Sequence, residues 1–156
     1  SKFNLEAWKR TYSNSEEAEA IKYFWENIDL EGFSIWDCCY KYNDENKKVF
    51  MSSNLIGGFF TRTEHARKYA FASFGIFGED DNNDIEGIWV FRGHEVPFEV
   101  SDAPDFESYE FTRLDTNLTE EVKQHINAFF AWQEIPGLAK FLPRITKPFN
   151  QGKNYK

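Results

Sequence analysis

An α+β fold is predicted, with a mainly antiparallel sheet of five or six strands and helices on both faces. Three observations carry that prediction. The segments FASFGIF (71–77) and IWVF (88–91) are apolar on both alternating faces, so their strands are covered on two sides. Stretches near both ends of the chain repeat apolar residues at helical spacing and can supply the cover. The 17 Phe, 7 Tyr and 5 Trp are the third sign. Aromatics bury about 150–250 Å² each, and the surface of a soluble domain cannot carry so many exposed.

Taken in order, Asn4 caps a first helix, LEAWKRTY, with Phe3 and Trp8 placed for a hydrophobic staple and Leu5, Trp8 and Tyr12 on one face. Ser13 and Glu16 have capping-box spacing for a second helix, whose buried stripe is Ala18, Ile21, Trp25 and Ile28. Glu16, Glu17 and Glu19 crowd its first turn, where the helix dipole favours them. After a turn at 29–32, FSIWDCCYKY reads as a strand with Trp36, Cys38, Tyr40 and Tyr42 on its fully buried face. Ile35, Asp37, Cys39 and Lys41 lie on the other. NDEN (43–46) is of hairpin length, which makes KVFMSS an antiparallel neighbour strand.

Asn54 is the expected N-cap of a helix ending in EHARK, although Gly57 and Gly58 each disfavour a helix by about 1 kcal/mol relative to Ala. Paired Gly fits a helix lying close against the sheet; a bent strand continuing to Phe60 is the other option. The two apolar strands follow, joined by an acidic turn at EDDNN. VPFEV (96–100) reads as a short strand, with Pro97 suited to an edge. FESYEFTRLD alternates as a further strand. Thr119 caps a last helix, EEVKQHINAFFAW, with Val122, Ile126 and Phe129 on its core face. Prolines 136, 143 and 148 preclude a long helix beyond Ile135, so 135–156 is an extended tail, docked or mobile.

With 156 residues, one domain spanning 1–156 is expected. The net charge of −8 is uneven, because Lys140, Arg144, Lys147, Lys153 and Lys156 follow the last acidic residue, Glu134. An acidic body disfavours long-range attraction to nucleic acid or anionic lipid, whereas the basic tail could act alone. Cys38 and Cys39 are adjacent and on a strand point oppositely, so no disulfide is expected between them, and a reducing compartment, the cytoplasm, is favoured. No signal peptide or membrane-spanning run is present. The sequence lacks an initiator Met and reads as a piece of something longer.

Motifs for chemistry are scarce. His65, His94 and His125 have no partner at metal spacing, and neither HExxH nor CxxC occurs, so a structural or solvent-facing role is expected for each. The loop at Asp80, Asn82 and Asp84 imitates a calcium loop, but Ile85 stands where Gly is required and Phe91 where the bidentate Glu belongs. GxSxG, GxGxxG and GxxxxGK[ST] are all missing. The sequon at Asn117 is better read through Thr119 as a cap. Phe-rich strands could stack RNA bases, but RNP1 spacing is lacking. No catalytic residue, cofactor or metal is expected.

One ordered set of motifs goes further: YFWE (23–26), GFSIW (32–36), FMSSNLIGGFF (50–60), RKYAFAS (67–73), FGED (77–80), GIWVFRG (87–93), FESYEFTRLD (106–115) and KPFNQGK (147–153). Across essentially its whole length the chain resembles the C-terminal domain of the gamma subunit of translation elongation factor 1. That resemblance implies a five-stranded antiparallel sheet flanked by helices and a non-catalytic scaffold role. The full subunit also has a glutathione-transferase-like domain and a Lys-rich linker, neither found in this sequence. Implied partners are the other subunits of the complex, the exchange subunit chiefly through that other domain. RNA or ribosome contact through the tail is the alternative. The matching motifs nominate Asn54, Arg67, Lys68 and Arg92 as interaction residues, with Lys147, Asn150, Gln151 and Lys153 from the tail. Each also has a plain structural role open to it: a cap, helix-end charges or a strand-end ion pair.

Overall fold

The two unbroken apolar runs form the central hairpin, β2 (Ala70–Glu79) and β3 (Asn82–Arg92), in the computed structural model, which describes residues 3–132 and 147–156. Around it stand β1 (Phe33–Tyr40), β4 (Tyr109–Arg113) and β5 (Phe149–Tyr155), giving one five-stranded sheet in the order β4-β1-β3-β2-β5. Every pairing is antiparallel. Trp89 and Phe91 are fully buried, as strands covered on both sides require.

One face carries α1 (Leu5–Asn14), α2 (Glu17–Asn27) and α5 (Glu120–Ala131), and its core joins Trp8, Phe24, Phe71, Ile88, Val90 and Phe130. Asn4 Oδ1 accepts from the Ala7 N–H and Thr119 Oγ1 from the Val122 N–H, so both expected caps are in place. Phe3 and Trp8 both pack on Phe24. The opposite face carries α3 (Val49–Arg62) and the short α4 (Phe98–Ser101), over Phe59, Phe60, Phe74, Trp89, Phe91 and Tyr109.

Several local expectations are corrected. Residues 48–53 are not a strand but the opening of α3, because both sides of β1 are already occupied by β3 and β4. Val49, Ser52, Ile56, Phe59 and Phe60 recur at helical spacing, and Asp80 Oδ1 accepts from the Val49 N–H, capping the helix from the β2–β3 turn. Residues 43–45 accordingly form a single 3-10 turn instead of a hairpin loop. Asn54 lies exposed within α3 and caps nothing. Residues 98–101 coil into α4 instead of adding a strand, and the sheet has five strands among the described residues.

The Ser13–Glu16 capping box does not form. Helix α1 runs on to Asn14 while Tyr12 packs on Phe71 and donates its hydroxyl to the Phe130 carbonyl, keeping Ser13 helical. On α2 the buried centre is Ala20 and Phe24, with Ala18 exposed; Phe24 turns inward to meet Phe3, Trp8 and Phe130. The β1 faces are also reapportioned. Ile35, Asp37 and Cys39 are buried, as is Cys38 on the face expected to be buried, whereas Trp36 and Tyr40 are half-buried and Tyr42 is exposed; His125 of α5 covers Asp37.

Candidate functional site

The nominated residues fall into two groups separated by the length of the hairpin. Arg67 and Lys68 sit on the 3-10 segment Glu64–Tyr69 just before β2, and Arg92 closes β3 beside it, all three exposed. Lys147, Asn150 and Gln151 lie toward the other end, near the β2–β3 turn; ten residues of strand put the two groups roughly 30 Å apart. Lys153, on β5, stands between them. No single cleft gathers the eight.

Local chemistry holds the first group in place. Lys9 Nζ donates to the Arg67 carbonyl at 2.6 Å, tying α1 to the 3-10 segment, and burial pulls the Lys9 pKa down. The Arg67 guanidinium lies 5.5 Å from the centre of the Tyr155 ring. The Tyr155 hydroxyl donates to the Thr63 carbonyl, and burial pushes its pKa up to about 12. Arg92 lines a cleft with Glu31, His94, Glu95 and Phe98, whose side chain is 72% exposed.

The tail residues are largely engaged within the fold. Lys147 Nζ pairs with Asp84 at 2.8 Å, and Asn150 Nδ2 donates to the Gly78 carbonyl at 2.9 Å. Lys153 lies against α3, its Nζ 3.2 Å from where a Cβ on Gly57 would stand. That contact shows the helix passing close to the β5 edge. Lys156 Nζ donates to Ser13 Oγ at 3.0 Å. Lys140 and Arg144 lie outside the described residues.

The sheet interior holds a further group that motif reading passed over. Asp37 on β1, Glu86 on β3 and His125 on α5 converge with fully buried side chains. His125 Nε2 lies 2.9 Å from Asp37 Oδ1 and 3.7 Å from Glu86 Oε2. In the register Asp37 faces Ile88 and Cys39 faces Glu86, so the two carboxylates are diagonal neighbours on one face. Signals for them were present: an acidic residue inside each covered strand, and a histidine one turn from Val122 and Phe129 on the core face of α5. The three come from separate elements, which no linear spacing rule detects.

The sheet order, the two-sided cover and the charged groups at the ends and edge define a class: an α+β domain built on a five-stranded antiparallel sheet. No helix among the described residues is long and apolar enough to cross a membrane. A family model described as elongation factor 1 gamma, conserved domain, matches residues 1–95, and this chain belongs to that family. It is 45% identical over 156 residues to elongation factor 1-gamma of Artemia salina, covering 99% of this chain and 34% of that protein. The corresponding protein of Drosophila melanogaster is 44% identical, with the same coverage, and elongation factor 1-gamma-A of Xenopus laevis is 43% identical over 100% of this chain and 35% of its own length. The chain thus spans about a third of the length of these relatives.

Proposed function

We propose that this chain is a non-catalytic interaction domain of the translation elongation factor 1 complex. It supports, as scaffold, the assembly in which the exchange subunit recharges the GTPase that delivers aminoacyl-tRNA. The observation that carries the reading is the similarity along nearly the whole chain to proteins named elongation factor 1-gamma. Its setting is the cytoplasm, and the exchange subunit is held chiefly by a part of the gamma subunit outside this sequence.

The contact surface we favour is the end of the hairpin where Arg67, Lys68 and Arg92 stand exposed, with Arg92 sharing a cleft with Phe98. Arginine and large aromatic side chains are the types that dominate binding energy at protein interfaces. Contact with RNA or the ribosome through the tail has less support, since Lys147 and Lys156 already have partners and Lys153 lies against α3. Phosphates would have to displace these contacts before gaining the charge. Alanine at Arg67, Arg92 and Lys153 together should leave the fold intact and weaken capture of purified elongation factor 1 subunits at least tenfold. Capture at wild-type strength would sink this surface.

A further inference from the structure

Helix α3 departs from the pattern of a surface helix. Its inner side buries Val49, Ser52, Ile56, Phe59 and Phe60, so charged residues are expected on the opposite side. Yet no charged residue occurs from Val49 to Thr61, in a chain of which 28% is charged. The first outward turn instead carries Phe50 and Met51, 63% and 51% exposed. Asn54 lies exposed one turn after Phe50, and Leu55, one turn after Met51, is half-buried. Single apolar side chains in water are ordinary, but neighbouring large ones on an uncharged face mark a contact surface. Unbranched Met, which adapts its shape to a partner, is favoured on such surfaces.

What borders this face indicates what it receives. The 3-10 turn 43–45 and the β2–β3 turn meet at the start of α3. Asn46 Nδ2 donates to the Asn83 carbonyl at 3.0 Å, and Asp80 Oδ1 accepts from the Val49 N–H at 2.9 Å. Residues 44–48 and 79–81 together hold five carboxylates and two lysines, one of which, Lys48, already stands 3.7 Å from Asp81. At the other end of the helix Arg62 is balanced by Asp105 through two hydrogen bonds of 2.7 Å, and its guanidinium lies over Gly58. The border is thus negative at one end and balanced at the other, which repels an anionic partner and attracts a cationic one.

We propose that the outward side of α3 docks an amphipathic helix of another protein. The apolar stripe of that helix covers Phe50 and Met51, and its Lys or Arg residues meet the acidic turns. A helix fits because Phe50 and Asn54 form one row and Met51 and Leu55 the next, and the groove between such rows takes the ridge of a second helix. Two exposed anchors make a small, reversible contact and not a permanent interface. The surface lies at the opposite end of the hairpin from Arg67 and Arg92, so it does not depend on the role proposed for them.

The test presents the immobilised chain with a display library of designed amphipathic helices, their stripe fixed as Leu and their flanks varied among Lys, Glu and Gln. Helices with Lys at one end of the stripe should be enriched at least tenfold over their Glu counterparts. A synthetic copy of an enriched helix should shift the backbone amide resonances of residues 50–55 and leave those of Arg67 and Arg92 unmoved. Phe50→Ser with Met51→Ser should weaken its binding at least tenfold; both side chains face water, so this double variant should fold. If it does not, Glu45→Gln with Glu79→Gln reads the charged border alone and should weaken binding at least threefold. No enriched helix, equal enrichment of Lys and Glu flanks, shifts confined to other residues, or undiminished binding by either folded double variant would each overturn the assignment. So would self-association of the wild-type chain that Phe50→Ser with Met51→Ser abolishes, since a second copy would then be the occupant.

Discussion

Toward α3 the sheet presents Phe74, Trp89, Phe91, Tyr109 and Tyr155, rings packed at centroid distances of 5.1 to 6.1 Å. Toward α5 it presents Phe71, Ile88 and Val90, and also Asp37 and Glu86, which meet His125 of that helix. The same strands build both sides, because alternate residues of β1 and β3 point opposite ways. What differs is the source of specificity. The aromatic side is held by shape and apolar area, which tolerate exchange of similar volumes. The ionic side depends on each group keeping its partners, since removing one leaves uncompensated charge in the interior.

Single deletions probe that contrast most strongly. Trp89→Ala should destabilise by about 3–5 kcal/mol through the cavity it leaves. Asp37→Ala should cost a similar 3–5 kcal/mol from broken pairing although far less volume is removed. Urea denaturation measures both. A loss below about 1 kcal/mol for Asp37→Ala would show that the ionic side is no more demanding than the aromatic one.

Overpacking gives a smaller effect. Gly87 lies under the Phe74 ring, and a Cβ there would stand 2.4 Å from ring carbons. Gly87→Ala should lower stability by about 1–3 kcal/mol, and Phe74→Leu in the same chain should restore part of it. Additive losses in the double variant would mean that the ring and the glycine are not coupled.

The smallest effect separates the two sides by pH. Tyr155 on the aromatic side has its pKa raised to about 12, and the ordinary value is 10.0. The folded chain therefore keeps a proton that the unfolded chain gives up between those values. Stability from this group is complete below pH 10 and is lost as pH rises toward 12. Tyr155→Phe should flatten the alkaline limb of the denaturation profile and change neutral stability by only about 1 kcal/mol, the worth of one hydrogen bond. An alkaline limb as steep in the variant as in the wild type would remove Tyr155 as its source.

Much of the architecture was legible in the sequence, and particular residues show where legibility stopped. FASFGIF and IWVF announced the buried hairpin because a covered strand has no polar alternation to confuse. Asn4 and Thr119 announced helix starts because their caps are local. Val49 to Ser53 misled because FMSS satisfies strand propensity, and only the occupied sides of β1 exclude that segment from the sheet. Asp37 was assigned to the less buried face for a similar reason: what covers it is His125, 88 residues away. The surface candidates were named from motif matches alone, and the coordinates spread them along the hairpin instead of gathering them.

β5 carries a consequence for how the chain is made. Residues 149–155 pair with β2 at Ala72 to Phe77, close the far side of the sheet, and send Tyr155 back to Thr63 and Asn154 to Tyr12. A nascent chain in which residues 149–155 have not yet emerged would present β2 with one side open, a template for unwanted association with another chain. Completion of the sheet must therefore await emergence of residues 149–155, and ribosome-bound intermediates lacking them are where chaperone protection would count most.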